Sequence, residues 1–391
     1  MQTSATPCPS PAPAGSGRRI LVLTAGFGEG HNAAARAIVA ALEAEAPGCK
    51  VQMLDPLHEG RPRINKLVKK LYLLTIHRTP KLWKQMYTLS DRTSDVSRDP
   101  LMVLRRPKKM IEQAIRDFHP DTIISTYPLY PFMLRRAGLY REHADNRFKL
   151  ITVVTDSVTI NSVWTKGPAD SFVVTDPLTA KHVETAGVDP ARIHPFGFPV
   201  HPSIAEAVAT QSPEHDAAPS PFKIALFPTG SRTQACALVE QLAAIPASIN
   251  WRATLVMGKH EPTLREPIEE QMRLSGISNR VDLLGWTNQV PEILASHHLL
   301  CGKAGGATVH EARAAACPML IHYVVPGQEE GNAILLESEG GGSCLNESTK
   351  LSDAIVSLAA NDFELWHKQR AALKKVAKPD AARNIARWLV Q

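Results

Sequence analysis

The chain has 391 residues, of which 44% are apolar and 21% are charged. This length indicates two domains of ordinary size, and the composition excludes a fully disordered or fibrous protein. Basic residues outnumber acidic ones by 44 to 38, and the net charge of +6 favours an anionic partner: nucleic acid, a nucleotide or a membrane surface. No apolar run approaches the roughly 18 residues that a membrane-spanning helix needs. We therefore expect any contact with a membrane to be at its surface.

The amino-terminal composition and the cysteines suggest a cytosolic protein with a disordered tail. Residues 1–18 contain four prolines among Ser, Ala and Gly, and such a segment cannot bury enough apolar area to fold. The six cysteines form no CxxC pair and no Cys/His spacing suited to zinc. Scattered cysteines of this kind are typical of reduced thiols in the cytosol.

Short apolar segments alternate with helical patterns on both sides of a proline-rich stretch. Such segments are typical of parallel strands that are buried on both faces. They lie at 20–24, 51–54, 122–125, 150–155 and 171–175, and again at 223–227, 253–257, 281–284, 299–301 and 319–322. The stretch 209–221 has three prolines and predicts an interdomain linker. The sequence thus predicts an α/β protein with two doubly wound domains, at 19–208 and 222–391, with room for the last helix to pack back on the first.

The excess positive charge lies in the first predicted domain. Residues 1–200 carry a net charge of +9 and residues 201–391 carry −3, and residues 60–90 hold eight basic side chains and no acidic one. On a helix, Lys66, Lys69 and Lys70 would lie opposite an apolar face. A basic amphipathic helix predicts binding to an anionic membrane surface. The alternative is a helix packed on the core with a solvated basic face.

A glycine-rich turn follows the first predicted strand. Gly26, Gly28 and Gly30 precede an alanine-rich helix that is predicted to begin near His31. The spacing departs from the dinucleotide fingerprint GxGxxG, so a hydride-transfer enzyme fits poorly. His31 stands where ligands reach an open sheet, and the start of a helix favours the neutral imidazole that a general base requires. A structural histidine is the alternative.

Two neighbouring turns of the second domain are suited to a ligand with phosphate and sugar parts. At 301–312 a strand runs into a glycine loop and a helix predicted to open at Val309, where backbone amides and the Thr308 hydroxyl could hold a diphosphate. At 326–332 a turn carries amides and carboxylates that suit sugar hydroxyls. Either turn alone could be a polar, well-capped loop, but together they indicate one ligand.

These motifs resemble a known family. GEGH at 28–31, GKAGGATVHEA at 302–312 and PGQEEGNA at 326–333 are similar to two-domain GT-B glycosyltransferases that use UDP-sugars. The similarity is greatest to the monogalactosyldiacylglycerol synthase and processive diacylglycerol glucosyltransferase group, and it extends from residue 20 to about residue 351. It implies two Rossmann-like domains facing a cleft, and inverting transfer of a hexose from a UDP-sugar to a lipid, most simply diacylglycerol. It also implies a cytoplasmic enzyme that is peripherally associated with the inner face of a membrane.

The resemblance implies roles for the residues that match its motifs. His31 is the implied general base, Asp156 the group that orients it or the acceptor, and Gly28 and Gly30 the acceptor-side loop. The implied donor-binding residues are Gly230, Ser231 and Arg232 near the phosphates, Trp286 at the uracil, Lys303, Gly305, Gly306 and Thr308 at the diphosphate, Glu311 at the ribose, and Gln328, Glu329 and Asn332 at the hexose.

The sequence departs from its relatives in two places. The loop at 228–232 has one glycine where relatives have two or three in a row, and Arg232 is expected to supply the missing attraction for phosphate by its charge. The segment 155–159 lacks the histidine often found after the aspartate in lipid glucosyltransferases, which leaves the acceptor open.

We expect neither a metal nor a cofactor, because a helix start, Lys303 and Arg232 supply positive charge and no DxD-like pair occupies a suitable loop. The expected partners are a UDP-hexose, diacylglycerol or a related lipid, and an anionic membrane. Nucleic acid is not expected, because the basic region has few interleaved aromatic residues and no reader motif. Two alternatives remain: an enzyme using UDP-N-acetylglucosamine, either a lipid-linked precursor transferase or a 2-epimerase, and a non-catalytic protein that binds sugar nucleotides. The donor sugar and the number of sugars added stay open.

Overall fold

The computed structural model describes residues 17–26, 29–60, 105–141, 148–211, 217, 219–327, 329–346 and 348–391. These residues form two six-stranded parallel sheets with flanking helices. Among the described residues, no helix combines the length and the apolar character needed to cross a bilayer.

The first sheet is built from the amino-terminal half of the chain. Its strands are β1 (Arg19–Leu23), β2 (Lys50–Leu54), β3 (Thr122–Ser125), β4 (Lys149–Val153), β5 (Ser171–Val173) and β6 (Ile193–His194). They lie in the order β2-β1-β3-β4-β5-β6, and every neighbouring pair is parallel. The helices described in this half are α1 (Glu29–Glu45), α2 (Pro56–Gly60), α3 (Arg105–Phe118), α4 (Leu129–Arg136), α5 (Val163–Lys166) and α6 (Pro177–Thr185).

The second sheet follows helix α7 (Ser203–Ala209). Its strands are β7 (Phe222–Leu226), β8 (Trp251–Val256), β9 (Val281–Leu284), β10 (Leu299–Lys303), β11 (Met319–Tyr323) and β12 (Gly342–Cys344), in the parallel order β12-β11-β10-β7-β8-β9. The helices described here are α8 (Arg232–Ala243), α9 (Glu261–Leu274), α10 (Val290–Ser296), α11 (Gly306–Ala314), α12 (Glu330–Ser338), α13 (Leu351–Val376) and α14 (Ala381–Val390).

The strand order of each sheet indicates where a ligand would bind. It reverses between β1 and β3 in the first sheet and between β7 and β10 in the second. In open parallel sheets, ligands bind beyond the carboxyl ends of the strands at such a reversal. Helix α1 begins beyond β1, α8 beyond β7 and α11 beyond β10. The first turns of α1 and α11 approach each other, because a Cβ atom on Gly30 would lie 4.0 Å from the backbone nitrogen of Ala307.

The domain division differs from the one predicted at 209–221. Phe198, Val200 and Ile204 pack in the same core cluster as Leu294 and Val309, so the chain enters the second body before α7. The residues at 198–204 are apolar enough to be buried in either body, so their sequence alone does not predict which sheet they pack against.

Helix α14 packs on the first sheet, although it follows the whole of the second. Ile385, Ala386 and Leu389 are buried in one cluster with Ile20 and Ile38. The predicted range 222–391 therefore includes one helix that completes the core of the other body.

Candidate active site

His31 is the third residue of α1 and is 8% exposed. Its Nδ1 atom is 2.8 Å from the hydroxyl oxygen of Thr155, and its ring meets that of Tyr127 edge-on, with 5.2 Å between centroids. Burial lowers the pKa of His31 to about 4, and a hydrogen bond with the backbone of Thr126 offsets this only in part. The imidazole is therefore neutral at pH 7, which is the state a general base needs.

Asp156 follows Thr155 at the carboxyl end of β4 and is half-buried. Its Oδ2 atom accepts a hydrogen bond of 2.8 Å from the indole nitrogen of Trp164, whose ring lies 6.0 Å from that of His31. Burial raises the pKa of Asp156 to about 6, while the bond from Trp164 lowers it. Thr155, and not Asp156, is thus the residue within hydrogen-bond distance of the His31 ring. Asp156 is connected to this part of the cleft through its bond with Trp164.

The start of α11 has the geometry expected of a diphosphate site. Gly305 is the N-cap residue and no side chain caps the helix, so amides of the first turn are open to a ligand. Thr308 lies in this turn and is half-buried. A Cβ atom on Gly306 would lie 3.0 Å from the carbonyl oxygen of Thr155, so the helix starts directly against the loop that contacts His31.

Lys303 and Glu329 form an ion pair beside this helix start. Glu329 is 7% exposed, and its second carboxylate oxygen accepts a hydrogen bond of 3.2 Å from the backbone nitrogen of Val325. A Cβ atom on Gly305 would lie 2.9 Å from the Lys303 ammonium, so the glycine leaves the space in which the lysine folds back. The structure therefore brings a residue implied for the diphosphate together with one implied for the hexose.

Asn332 offers an unused hydrogen-bond acceptor at the same place. Its side-chain nitrogen donates to the carbonyl oxygen of Ala304 over 3.0 Å, and the residue is 2% exposed. Its Oδ1 atom is buried and has no hydrogen-bond partner among the described residues. A buried acceptor without a donor costs free energy, and a ligand hydroxyl would remove that cost.

Glu311 lies on α11, one turn beyond the helix start. Burial raises its pKa to about 7, and the positive charge of Arg36 on α1 lowers it. The carboxyl group is therefore held near half-ionisation at neutral pH by its position between the two bodies.

The remaining implied donor residues are spread along the second sheet. Ser231 caps α8 by accepting a hydrogen bond from the backbone nitrogen of Gln234, and a Cβ atom on Gly230 would lie 2.8 Å from the ring of His260. Arg232 is exposed and lines a groove between α8 and α9 that also contains Glu266. Trp286 follows β9 and is 77% exposed, so its ring has ample room for a ligand and little contact with the protein.

Five implied or predicted residues lie outside the described part of the chain: Gly28, Lys66, Lys69, Lys70 and Gln328. The structure also brings together two residues for which the sequence predicts no role. The hydroxyl of Ser157 and the Nε2 atom of His310 are 2.8 Å apart across the boundary between the bodies. The only available sequence signal was their position, after β4 and next to Glu311.

Comparison with known proteins agrees with the resemblance seen in the motifs. The family described as monogalactosyldiacylglycerol (MGDG) synthase matches residues 31–200. A processive diacylglycerol beta-glucosyltransferase of Bacillus licheniformis is 24% identical, with 88% of each chain covered. A probable monogalactosyldiacylglycerol synthase 3 of Oryza sativa subsp. japonica is also 24% identical, covering 94% of this chain and 73% of the relative. The chain is thus similar to this glycosyltransferase group over most of its length.

Solved structures show the same fold at low identity. Acinetobacter baumannii MurG has a TM-score of 0.60 at 12% identity, covering 95% of this chain and 98% of the other. Anabaena HepE in complex with UDP-glucose has a TM-score of 0.53 at 16% identity, with coverages of 95% and 98%. Staphylococcus aureus MnaA bound to UDP has a TM-score of 0.59 at 12% identity, with 94% of each chain covered. The expected GT-B fold is confirmed.

Proposed function

We propose that this chain transfers a hexose from a UDP-sugar to diacylglycerol, with inversion at the anomeric carbon. The observation that carries the proposal is the meeting of two features in one cleft. The uncapped start of α11 lies against the Thr155 loop, and Thr155 in turn contacts the buried, neutral His31. A site for a leaving diphosphate and a site for a base are thereby placed next to each other. The names of the relatives supply the substrate class, a diacylglycerol acceptor.

The second body holds the donor in this proposal. The first-turn amides of α11 bind the diphosphate, and Glu311 accepts hydrogen bonds from the ribose hydroxyls. Glu329, Gln328 and Asn332 face the hexose, where the unpaired Oδ1 of Asn332 can accept from a sugar hydroxyl. Lys303 neutralises Glu329, so the acidic side chain does not repel the negatively charged donor.

His31 takes the proton of the acceptor in the chemical step. The Thr155 hydroxyl lies 2.8 Å from Nδ1. In this proposal Nδ1–H donates to that hydroxyl, and Nε2 is the atom that takes the proton. The acceptor oxygen bonds to the anomeric carbon as its proton passes to Nε2. The bond between that carbon and the UDP oxygen breaks, and its electron pair leaves with UDP. The positive end of α11 stabilises the charge that develops on the diphosphate.

We propose that the step needs no metal ion. In this proposal the helix-end amides of α11 supply the positive charge that the departing diphosphate requires. Initial rates should be unchanged by EDTA after dialysis against the chelator. A loss of activity that Mg²⁺ or Mn²⁺ restores would contradict this part of the proposal.

The acceptor side is proposed to rest on an anionic membrane. Helix α2 ends at Gly60 and helix α3 begins at Arg105. These two points are close together, because a Cβ atom on Gly60 would lie 3.3 Å from Pro107. Helix α2 follows β2, so both points lie at the carboxyl edge of the first sheet, where His31 also lies. The cations at the start of α3 therefore lie at the edge where a lipid would enter, and we propose that the basic stretch at 60–90, whose basic side chains lie outside the described residues, adds to the same attraction. The α3 cations are Arg105, Arg106, Lys108 and Lys109.

The transfer proposal is tested with radiolabelled UDP-galactose and UDP-glucose, supplied separately to vesicles with and without diacylglycerol. Label should enter the lipid phase from one of the two donors, and only when diacylglycerol is present. Release of free sugar alone, or conversion of UDP-N-acetylglucosamine to its 2-epimer without lipid labelling, would contradict the proposal. Binding of UDP with no turnover would favour a non-catalytic sugar-nucleotide protein.

The membrane proposal is tested by vesicle sedimentation. Binding should rise with the content of anionic lipid and fall when Lys66, Lys69 and Lys70 are changed to glutamine, because counter-charge attraction adds about 1 kcal/mol for each basic residue at the surface. Changing the exposed Lys350, Lys368 and Lys375 of the second body removes the same charge and should leave binding intact. Equal binding of both triple variants would argue against the assigned surface.

A further inference from the structure

A buried chain of hydrogen bonds crosses the boundary between the two bodies. His310 on α11 is 3% exposed and Ser157, in the loop after β4, is 2% exposed. The Nε2 atom of His310 lies 2.8 Å from the Ser157 hydroxyl oxygen. The ring of Phe198 stacks on the imidazole, with 4.9 Å between centroids and 5° between planes. The contact is thus fixed in both distance and orientation.

The partners of His310 determine which of its nitrogens carries the proton. A guanidinium can only donate, so the Nδ1 atom, 2.7 Å from Nη1 of Arg313, must be an acceptor. Burial and the charge of Arg313 keep the pKa of His310 well below its ordinary value, and the ring is neutral. The proton is therefore on Nε2, which donates to Ser157. In turn, the Ser157 hydroxyl lies 3.1 Å from that of Thr175, which donates to the Asp176 carboxylate over 2.6 Å.

Both ends of this chain are anchored within their own bodies. In the second body, Arg313 makes two hydrogen bonds with Glu339, at 2.7 and 2.6 Å. In the first body, Asp176 caps α6 by accepting from the backbone nitrogen of Thr179 over 2.8 Å. The link between His310 and Ser157 is the step of the chain that joins one body to the other.

The loop that receives this bond also contacts the donor and acceptor sides of the cleft. A Cβ atom on Gly331, in the first turn of α12, would lie 1.9 Å from the carbonyl oxygen of Ser157. The starts of α11 and α12 thus both touch residues 155–159, and Thr155 in the same loop contacts His31. A shift of α11 relative to this loop would move the donor site relative to the base.

We propose that His310 is a positioning residue, whose Nε2–H bond to Ser157 fixes the donor-holding helix α11 relative to the loop that orients His31. The inference rests on the proposed function for its kinetic consequence. His310 touches neither substrate nor the reacting atoms in this proposal. It acts through Ser157 and Thr155 on the distance between the anomeric carbon and the acceptor oxygen.

The test compares Ser157→Ala, which removes the acceptor of the bond, with Ser157→Thr, which keeps a hydroxyl. Ser352→Ala, a buried serine on α13, is the matched control. We expect kcat of Ser157→Ala to fall by about 10- to 100-fold, since misplacement by about 1 Å has effects of that size. The Kd for UDP should stay within about threefold, because the donor contacts remain in the second body. Ser157→Thr should recover most of the rate, and Ser352→Ala should lose none.

A second measurement does not depend on any transfer activity. Hydrogen exchange by mass spectrometry should be faster in Ser157→Ala than in wild type at residues 155–159 and at the start of α11, and unchanged there in Ser352→Ala. Unchanged exchange in Ser157→Ala would overturn the proposal, whether or not the protein transfers sugar. Faster exchange with an unaltered kcat would also overturn it, because the bond would then be structural only. A wild type that labels no lipid would refute the proposed function and leave the exchange result to decide whether the bond fixes α11.

Discussion

Burial displaces the ionisation of three side chains in the cleft toward their neutral forms. The pKa of His31 is lowered to about 4, that of Asp156 is raised to about 6 and that of Glu311 is raised to about 7. All three shifts have desolvation as their largest cause. The cleft therefore carries less charge at neutral pH than its residue types suggest.

Replacing His31 should separate chemistry from donor binding. His31→Ala removes the proposed base, and we expect kcat to fall by about 100- to 10,000-fold. The Kd for UDP, measured by calorimetry, should be unchanged, because the donor contacts come from α11 and α12. The exposed His182 on α6 gives a control, His182→Ala, that should retain full activity. A folded His31→Ala enzyme with near-normal transfer would show that another group is the base.

The raised pKa of Glu311 predicts a pH-dependent affinity for the donor. Only the ionised carboxylate can accept from both ribose hydroxyls, and its fraction rises from about a tenth at pH 6 to about nine-tenths at pH 8. The Kd for a UDP-sugar, whose diphosphate does not titrate in this range, should therefore fall about tenfold between these pH values. Glu311→Gln should bind more weakly at pH 8 and show no such dependence. A wild-type Kd that is flat with pH would contradict the assignment to the ribose.

At the scale of elements, glycines set how closely the two bodies approach. Gly306 of α11 lies against the Thr155 carbonyl group, and Gly331 of α12 lies against that of Ser157. At Gly331 a methyl group could not share this space with the backbone, whereas at Gly306 it would require a shift of a few tenths of an ångström. Glycine at these positions thus permits close contact between the bodies, which is separate from any need for a ligand to approach the backbone.

Gly331→Ala should force α12 away from the loop at 155–159. Its Cβ atom would lie 1.9 Å from a carbonyl oxygen, and we expect a loss of about 1–3 kcal/mol in the free energy of unfolding. The rate of transfer should fall with it, because Glu329 and Asn332 move with the helix. Gly48→Ala is the control, since a Cβ atom there has no neighbour within 4 Å. Chemical denaturation and kcat would be measured for both variants, and equal behaviour would refute the argument.

The elements themselves could be predicted from the sequence where their apolar runs are long. Each of the ten predicted strands is present to within two residues, because a strand buried on both faces needs a continuous apolar run. The strands β6 and β12 are missed because β6 has only two residues and β12, Gly-Ser-Cys, has no large apolar side chain. Helix α11 begins at Gly306 rather than at Val309, because glycines read as a loop although their amides already belong to the helix.

The candidate site was predictable in its motifs and not in its contacts. The glycine loops placed Lys303, Gly305 and Gly306 at the edge of the second sheet, where the structure also has them. The partners of His31 and His310 lie 124 and 153 residues away along the chain. No rule of sequence spacing predicts contacts between residues so far apart, because such contacts depend on how the two sheets face each other.

At the scale of the whole molecule, α14 ties the two bodies together. Its apolar face lies in the core of the first sheet, and Arg383 and Arg387 make ion pairs with Glu45 at the end of α1. These ion pairs are only partly buried and each adds little, so burial of apolar area supplies most of the attachment.

Ile385 is fully buried in this attachment, and Ile385→Ala should lower the free energy of unfolding by about 2–5 kcal/mol. The midpoint of thermal unfolding should fall, and the first body should become more sensitive to protease. Leu365→Ala on α13 is the control, because that side chain is 40% exposed and its truncation leaves no cavity. Equal midpoints for the two variants would mean that α14 is not a structural part of the first body.

The return of α14 has a consequence for how the polypeptide becomes structured as it leaves the ribosome. Residues 19–197 are made first, but the surface formed by Ile20, Ile38 and their neighbours is covered by residues 381–390, which are made after the entire second sheet. Amino-terminal domains generally fold first during synthesis. Here that order is blocked, because the earlier body keeps an apolar face open until the later one has emerged. The core of the first body is therefore complete only after the last helix of the chain has been made.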